Sequence, residues 1–229
     1  MSAPVLYQLP GMIVLALAVA LFAAPPLCRS DGPDGGFSAS SMVRSDSLER
    51  LYRRGRTFAE FLSAVRSRRE TWLDNYAGAV LPRELLERAR AVAGRWRLLV
   101  VAEDWCGDSA NTIPYLARLV DSLPFVELRI VGSREGRWLL ERHRTPDGRA
   151  ATPTVVLLDS AGADVGCFVE RPAGLREWLT DNRPHLSEGK LQQGREEWRR
   201  KDAGQSTLRE MVELLEGAAE GRPYCGPTR

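Results

Sequence analysis

The order of hydrophobic patterns in this sequence predicts an α/β domain, a small mixed sheet with helices over both faces. Three observations carry that prediction. Arg97 to Ala102 (RLLVVA) is a short apolar run of strand character that leads directly into a helical pattern reaching about Val120. Val126 to Val131 (VELRIV) repeats the arrangement, followed by a helix around Arg134 to Arg142 and a polar loop at 145–150. Thr154 to Leu158 (TVVLL), a turn at 159–162 and Val165 to Val169 then read as an antiparallel hairpin, and Leu175, Trp178 and Leu179 mark a closing helix. A strand–helix–strand unit followed by a hairpin gives the sheet both parallel and antiparallel neighbours.

Helical patterns flank this core. Thr57-Phe58-Ala59-Glu60 is a capping-box sequence, and Phe58, Phe61, Leu62, Val65, Trp72, Leu73 and Tyr76 recur at helical spacing, which predicts one amphipathic helix of about 20 residues. Pro82 opens a second helix with Leu85, Leu86, Ala89 and Val92 on one face, ended by Gly94. Beyond Pro184 lies a charged segment containing Trp198. Thr207 to Glu210 is another capping-box sequence, ahead of a helix carrying Leu208, Met211, Val212 and Leu215. From Gly217 the chain is rich in Gly and Pro and reads as a frayed tail. The resulting organisation is an apolar leader at 1–28, a linker at 29–44, an N-terminal helical extension at 45–93, the α/β core at 94–183, and a C-terminal helical extension with its tail at 184–229.

The leader admits three readings. No charged side chain occurs from Met1 to Cys28, and Met12 to Ala24 is a continuous apolar run of 13 residues, the length of a signal-peptide core. The segment before that run lacks Lys and Arg, and Pro25-Pro26-Leu27 precedes Cys28 where a lipoprotein site needs a small residue. Extended to Leu9–Leu27, the stretch reaches 19 residues and is long enough for an uncleaved membrane anchor. The third reading is a mis-called start, with translation beginning at Met42. The protein is membrane-associated or exported if the leader is real, and cytoplasmic if translation starts at Met42.

Composition removes several function classes. Lys and Arg number 32 against 30 Asp and Glu, interleaved throughout, so no basic stripe is available to a phosphate backbone and no nucleic-acid partner is expected. Cys28, Cys106, Cys167 and Cys225 stand 78, 61 and 58 positions apart, without the short spacing of a zinc site. His143 and His185 are the two histidines, both in polar surroundings, and no nucleotide-binding or nucleophile-elbow fingerprint occurs. Neither a metal nor an organic cofactor is expected.

The segment that carries chemistry lies where the first core strand hands over to a helix: Trp105-Cys106-Gly107-Asp108-Ser109, with Pro114 eight residues after the cysteine. Thr152-Pro153-Thr154 precedes the third strand. Together these resemble the thioredoxin family, whose active segment reads Trp-Cys-Gly-Pro-Cys, followed by a helix-kinking proline and, later, a cis-proline segment facing the reactive cysteine. The resemblance covers about 94–183, and 45–216 as a whole is similar to a bacterial thioredoxin-like subgroup carrying Trp-Cys-Gly-Asp. It implies a thioredoxin-like fold, a central mixed sheet flanked by helices, with extra N-terminal helices and a C-terminal helix. It also implies a reactive Cys106 in a substrate groove shaped by Trp105, Gly107, Asp108, Ser109, Thr152 and a cis Pro153.

The departure from that pattern is Ser109, which stands where the family has its second cysteine. A dithiol reductase forms a mixed disulfide and then expels the product with its second thiolate, and this segment supplies the first half alone. Release then requires a low-molecular-weight thiol, a partner protein, or a distant cysteine. Cys225 on the tail is the candidate for the last, whereas Cys167, alternating with Val165 and Val169 in the fourth strand, reads as a buried apolar residue. The helix N-terminus stabilises a Cys106 thiolate and Ser109 offers a hydrogen bond to its sulfur, while Asp104 and Asp108 modulate its acidity in the opposite sense. Asp108 would also compete for the same amides.

Two functions follow from the resemblance and remain open on the sequence. In one, Cys106 performs monothiol thiol–disulfide exchange or redox sensing toward protein thiols and disulfides or a low-molecular-weight thiol. In the other, the domain is a non-enzymatic binding module whose groove beside Pro153 holds a peptide and whose Cys106 is not redox-active. Trp198, beside Arg199, Arg200 and Lys201 but flanked by Glu196, Glu197 and Asp202, reads as one docked side chain on a solvated helix.

Overall fold

The structure, a computed structural model, describes residues 39–222 and 224–225. The apolar leader therefore lies outside the described residues. Helix α1 spans Ala39–Arg54, α2 Phe58–Ala64, α3 Arg69–Ala77 and α4 Arg83–Ala91, ahead of strand β1 at Trp96–Val101. Then come α5 (Gly107–Ala110), α6 (Ile113–Val120), β2 (Val126–Val131), α7 (Arg137–Arg142) and the hairpin of β3 (Thr154–Leu158) and β4 (Asp164–Val169). Helices α8 (Ala173–Asn182), α9 (Glu188–Asp202) and α10 (Gln205–Ala219) precede a two-residue strand, β5 (Tyr224–Cys225).

The sheet has the order β2-β1-β3-β4-β5. Strand β1 runs parallel to β2 and antiparallel to β3, and β4 runs antiparallel to β3 and parallel to β5. This is the mixed sheet that the patterns predict. Its central strands read as continuous apolar runs because both of their faces are buried. Leu98, Val100, Val155 and Leu157 join Phe61, Trp72, Leu116 and Met211 on one side, while Leu99, Val101, Val156 and Leu158 join Leu48, Tyr52, Leu139 and Leu140 on the other.

The second of these layers shows what the sequence reading placed too late. Helix α1 starts at Ala39, inside the segment read as linker, and its Leu48, Leu51 and Tyr52 supply one flank of the core. Met42 falls within that helix.

The single helix predicted from Thr57 onward is two helices. The capping box forms, with Glu60 N donating to Thr57 Oγ1 at 3.2 Å and Thr57 N donating to Glu60 Oε2 at 2.7 Å. The helix stops at Ala64, however, because the chain beyond Val65 finds better partners elsewhere. Arg66 N and Ser67 N donate to Asp104 Oδ2 at 2.8 and 3.1 Å, and Arg68 restarts the chain from a left-handed φ of 53°.

The helix predicted after Cys106 is also broken, at Asn111–Thr112. Pro114 lacks the N–H that would bond the carbonyl four residues back. That carbonyl, on Ala110, instead accepts from Asn75 Nδ2 of α3 at 2.8 Å.

Two corrections concern the C-terminal part. Helix α10 starts before the predicted capping box, behind Gly204 at φ 79°, so Thr207 lies buried within the helix. Glu210 then serves a different helix: its Oε1 accepts from Ala173 N at 2.6 Å at the start of α8. The predicted fray from Gly217 does not hold for the described residues, while 223 and 226–229 lie outside them. Helix α10 continues to Ala219, and Tyr224–Cys225 pairs with Gly166 and Cys167 at the sheet edge.

Candidate functional site

Cys106 ends the loop after β1 and stands at the N-cap of α5, with extended backbone angles (φ −75°, ψ 119°). Its Sγ accepts from Ser109 N at 3.5 Å, so the sulfur occupies the capping place that a hydroxyl or carboxylate usually takes. On its other side Sγ lies 3.3 Å from the carbonyl oxygen of Thr152, to which the thiol donates. The Thr152–Pro153 peptide is cis. The two segments that the sequence marks, 105–109 and 152–154, thus meet at one sulfur atom.

The remaining neighbours depart from expectation in ways that change the electrostatics. Ser109 is fully buried and its Oγ has no hydrogen-bond partner, so it serves the sulfur through its backbone N–H and not its hydroxyl. The Asp104 carboxylate is held by amides of the α2–α3 loop. The backbone N–H of Arg66 chiefly, and that of Ser67, hold this carboxyl below its ordinary range against the opposing effect of burial.

Asp108 does not compete for the helix-end amides. Arg171 approaches it as a fork, Nε to Oδ1 at 3.0 Å and Nη2 to Oδ2 at 2.9 Å, and Arg199 of α9 also contacts Oδ1. Burial works against the charge of both guanidiniums. At Arg171 the Asp108 contact and the Asp108 and Glu170 charges outweigh it and raise the group above its ordinary value, whereas at Arg199 burial prevails and lowers it. Arg171 Nη2 also meets Glu170 Oε1 at 3.1 Å, so two carboxylates face the two guanidiniums along this wall of the site.

A third cation comes from the N-terminal extension. Arg68 Nε donates to the carbonyl of Trp105 at 2.9 Å, and its guanidinium carbon lies 3.6 Å from where a Cβ on Gly107 would stand. Trp72 Nε1 donates to the carbonyl of Asp104 at 3.1 Å from a fully buried ring. The Trp105 side chain itself is 61% exposed beside the sulfur. Arg68, Gly107, Asp108, Asn111, Arg195 and Arg199 line an open cleft next to Cys106.

Sequence reasoning missed Arg68, Glu170, Arg171 and Arg199. Glu170 follows β4 with a φ of 64°, donates its N–H to Pro153 O at 2.7 Å, and is gripped by Arg149 through both oxygens at 3.0 and 2.9 Å. Arg199 lies in the segment read as a solvated helix, but its side chain is only 15% exposed, because α9 packs on α8 with Trp198 against Gly174 and Gly194 against Trp178. No local pattern in the sequence marks these arginines.

Among the described residues Cys106 is the free cysteine, and Cys167 is joined to Cys225 in a disulfide with Cα atoms 4.4 Å apart. Cys225 is therefore not the resolving partner of Cys106, and Cys167 is buried as expected but covalently engaged. His143 gathers with this pair, the three ligand-type atoms lying within 4.8 Å of one another. A metal would need the sulfurs as thiolates, and in the disulfide they are not available.

A family model described as Thioredoxin matches residues 55–183, more than half of the chain. The chain belongs to the thioredoxin family. The match takes in α2 to α4 as well as strands β1 to β4, so the helices that hold the Cys106 loop fall within the family region. A search of curated proteins gives no match. Among solved structures, a protein of unknown function from Pseudomonas aeruginosa is similar, with 24% identity, a TM-score of 0.62, and coverage of 74% of this chain and 97% of that one. An HIV epitope-scaffold is similar too, at 24% identity and a TM-score of 0.59, with the same coverages. These two likenesses bear on the fold.

Proposed function

We propose that this thioredoxin-family protein is a monothiol exchanger of the Trp-Cys-Gly-Asp type, with Cys106 as its single nucleophile toward disulfides of proteins or of low-molecular-weight thiols. The observation that carries the reading is the setting of Cys106 Sγ. It caps a helix start through Ser109 N, faces the cis-proline carbonyl of Thr152, and has Asp108 occupied by Arg171 and Arg199. The exposed Trp105 gives an incoming disulfide a surface to rest on.

In the first step the Cys106 thiolate attacks one sulfur of a disulfide; the S–S bond breaks and the distal sulfur leaves as a thiolate that takes up a proton. A mixed disulfide on Cys106 results. No cysteine stands at position 109 to resolve it, so an external thiol gives up its proton and attacks the substrate-derived sulfur, releasing a new disulfide and restoring Cys106. The steps sum to an exchange between one disulfide and one thiol.

The test is the turnover of a small mixed disulfide with glutathione as the resolving thiol. Wild-type protein is expected to accelerate it and Cys106→Ser to abolish the acceleration. Equal rates for the two proteins would contradict the reading and favour a groove that binds without exchange.

A further inference from the structure

A second sulfur centre lies at the edge of the sheet. Cys167 on β4 is 3% exposed, while its disulfide partner Cys225 on β5 is exposed, so an attacking thiol has access to one of the two sulfurs. His143, at the C-cap of α7 and 7% exposed, places Nδ1 3.4 Å from Cys225 Sγ and Nε2 3.0 Å from Asp164 Oδ2. Asp164 is itself nearly buried and is also held by Arg142 Nε at 3.1 Å. A buried imidazole set between a carboxylate and a sulfur has the layout in which histidine moves a proton for a thiol.

We propose that Cys167–Cys225 is a second thiol-exchange site, separate from Cys106, which low-molecular-weight thiols open at Cys225 with His143 as the proton-handling group. The thiolate of a first small thiol attacks Cys225 Sγ. The S–S bond breaks, its electron pair leaves on Cys167 Sγ, and that sulfur takes up the proton the first thiol gave up. A second small thiol then attacks the external sulfur of the mixed disulfide and expels Cys225 as a thiolate. His143 Nδ1, 3.4 Å from Cys225 Sγ, receives the second thiol's proton and passes it to the Cys225 thiolate. Two thiols are oxidised to one external disulfide, and the protein disulfide is reduced to two thiols.

The consequence for the fold is local. Among the described residues, the two-residue strand β5 pairs with Gly166 and Cys167, so once the S–S bond opens nothing covalent holds it to β4. Reduction converts β5 from a latched edge to a releasable one and frees the edge of β4 for pairing.

The test uses the full chain carrying Cys106→Ser, which separates this site from the proposed exchanger. The protein is exposed to reduced glutathione in native buffer, alkylated at timed intervals and mapped peptide by peptide. Cys167 and Cys225 are expected to become labelled together while the fold is retained. In a Cys167→Ser variant a glutathione adduct is expected to accumulate on Cys225 when oxidised glutathione is supplied. His143→Asn is expected to slow the second step, release of Cys225 from its mixed disulfide, about tenfold in native buffer, and to leave the rate in denaturant unchanged. A disulfide that opens only in denaturant would overturn the proposal. So would equal native rates with and without His143. Neither result would touch the reading of Cys106.

Discussion

The two sulfur centres of this fold are built in opposite ways. Cys106 sits at a helix start and is served by the Ser109 N–H and a carbonyl beside a cis-proline, next to an Asp108 held by two arginines, with no second sulfur paired to it among the described residues. Cys167 and Cys225 sit on adjacent strands at the sheet edge, already joined, with one histidine and one buried carboxylate beside them. The contrast teaches where each centre draws its character. The first depends on elements far apart in sequence, α3, the β1–α5 loop, the residues after β4, and α9. The second depends on one cross-strand pair and the end of α7. Damage to the scaffold of the first is therefore expected to be felt widely, and damage to the second to remain at the edge.

Trp72→Ala gives the largest expected effect. It empties a fully buried site and removes the donor to Asp104 O, at a cost of about 3–5 kcal/mol in denaturant unfolding. A loss below about 1 kcal/mol would show that the Cys106 loop does not lean on α3. Cys225→Ser is expected to cost about 2–4 kcal/mol by thermal unfolding, because the disulfide closes a sequence separation of 58 residues, and to leave exchange at Cys106 intact. If it impaired that exchange, the two centres would be coupled.

Asn75→Ala comes next, at about 1–3 kcal/mol, since it leaves the carbonyl that Pro114 orphans without its donor. Slower reaction of Cys106 with iodoacetamide in this variant would sharpen the comparison by showing that α3 holds the α5–α6 break in register. The smallest effect concerns acid. Asp104 is held below the ordinary carboxylate value by the Arg66 and Ser67 amides, so its contribution is full above the unfolded value of about 4 and is lost as pH falls through its lower folded value. Asp104→Asn is expected to flatten that part of the stability-against-pH curve by less than about 1 kcal/mol, and an unchanged curve would assign the slope to other carboxylates.

What the sequence revealed and what it withheld divide along the same line. β3 is buried along its whole length and β2 alternates buried residues with the polar Glu127 and Arg129, so both were legible to the residue, and the handover from β1 to a helix placed Cys106 at once. Thr152 and Pro153 were legible because a proline ahead of a strand is a discrete mark. The break between α2 and α3 was not, because a carboxylate 38 positions away at Asp104 takes the amides that would have continued the helix. Nor were Arg171 and Arg199, since a guanidinium becomes a site residue through what it faces, and Asp108 is separated from them by 63 and 91 positions. Cys225 was read as part of a loose tail because its anchor, Cys167, belongs to a strand whose pattern already had a sufficient apolar explanation.

The central claim is that Cys106 forms a mixed disulfide it has no neighbouring thiol to resolve. Intact-mass spectrometry after brief exposure to oxidised glutathione, with excess oxidant removed, tests it most directly. The account expects one glutathione adduct on Cys106 that persists until an external thiol is added and is absent from Cys106→Ser. No adduct on Cys106, or one that discharges without added thiol, would contradict it.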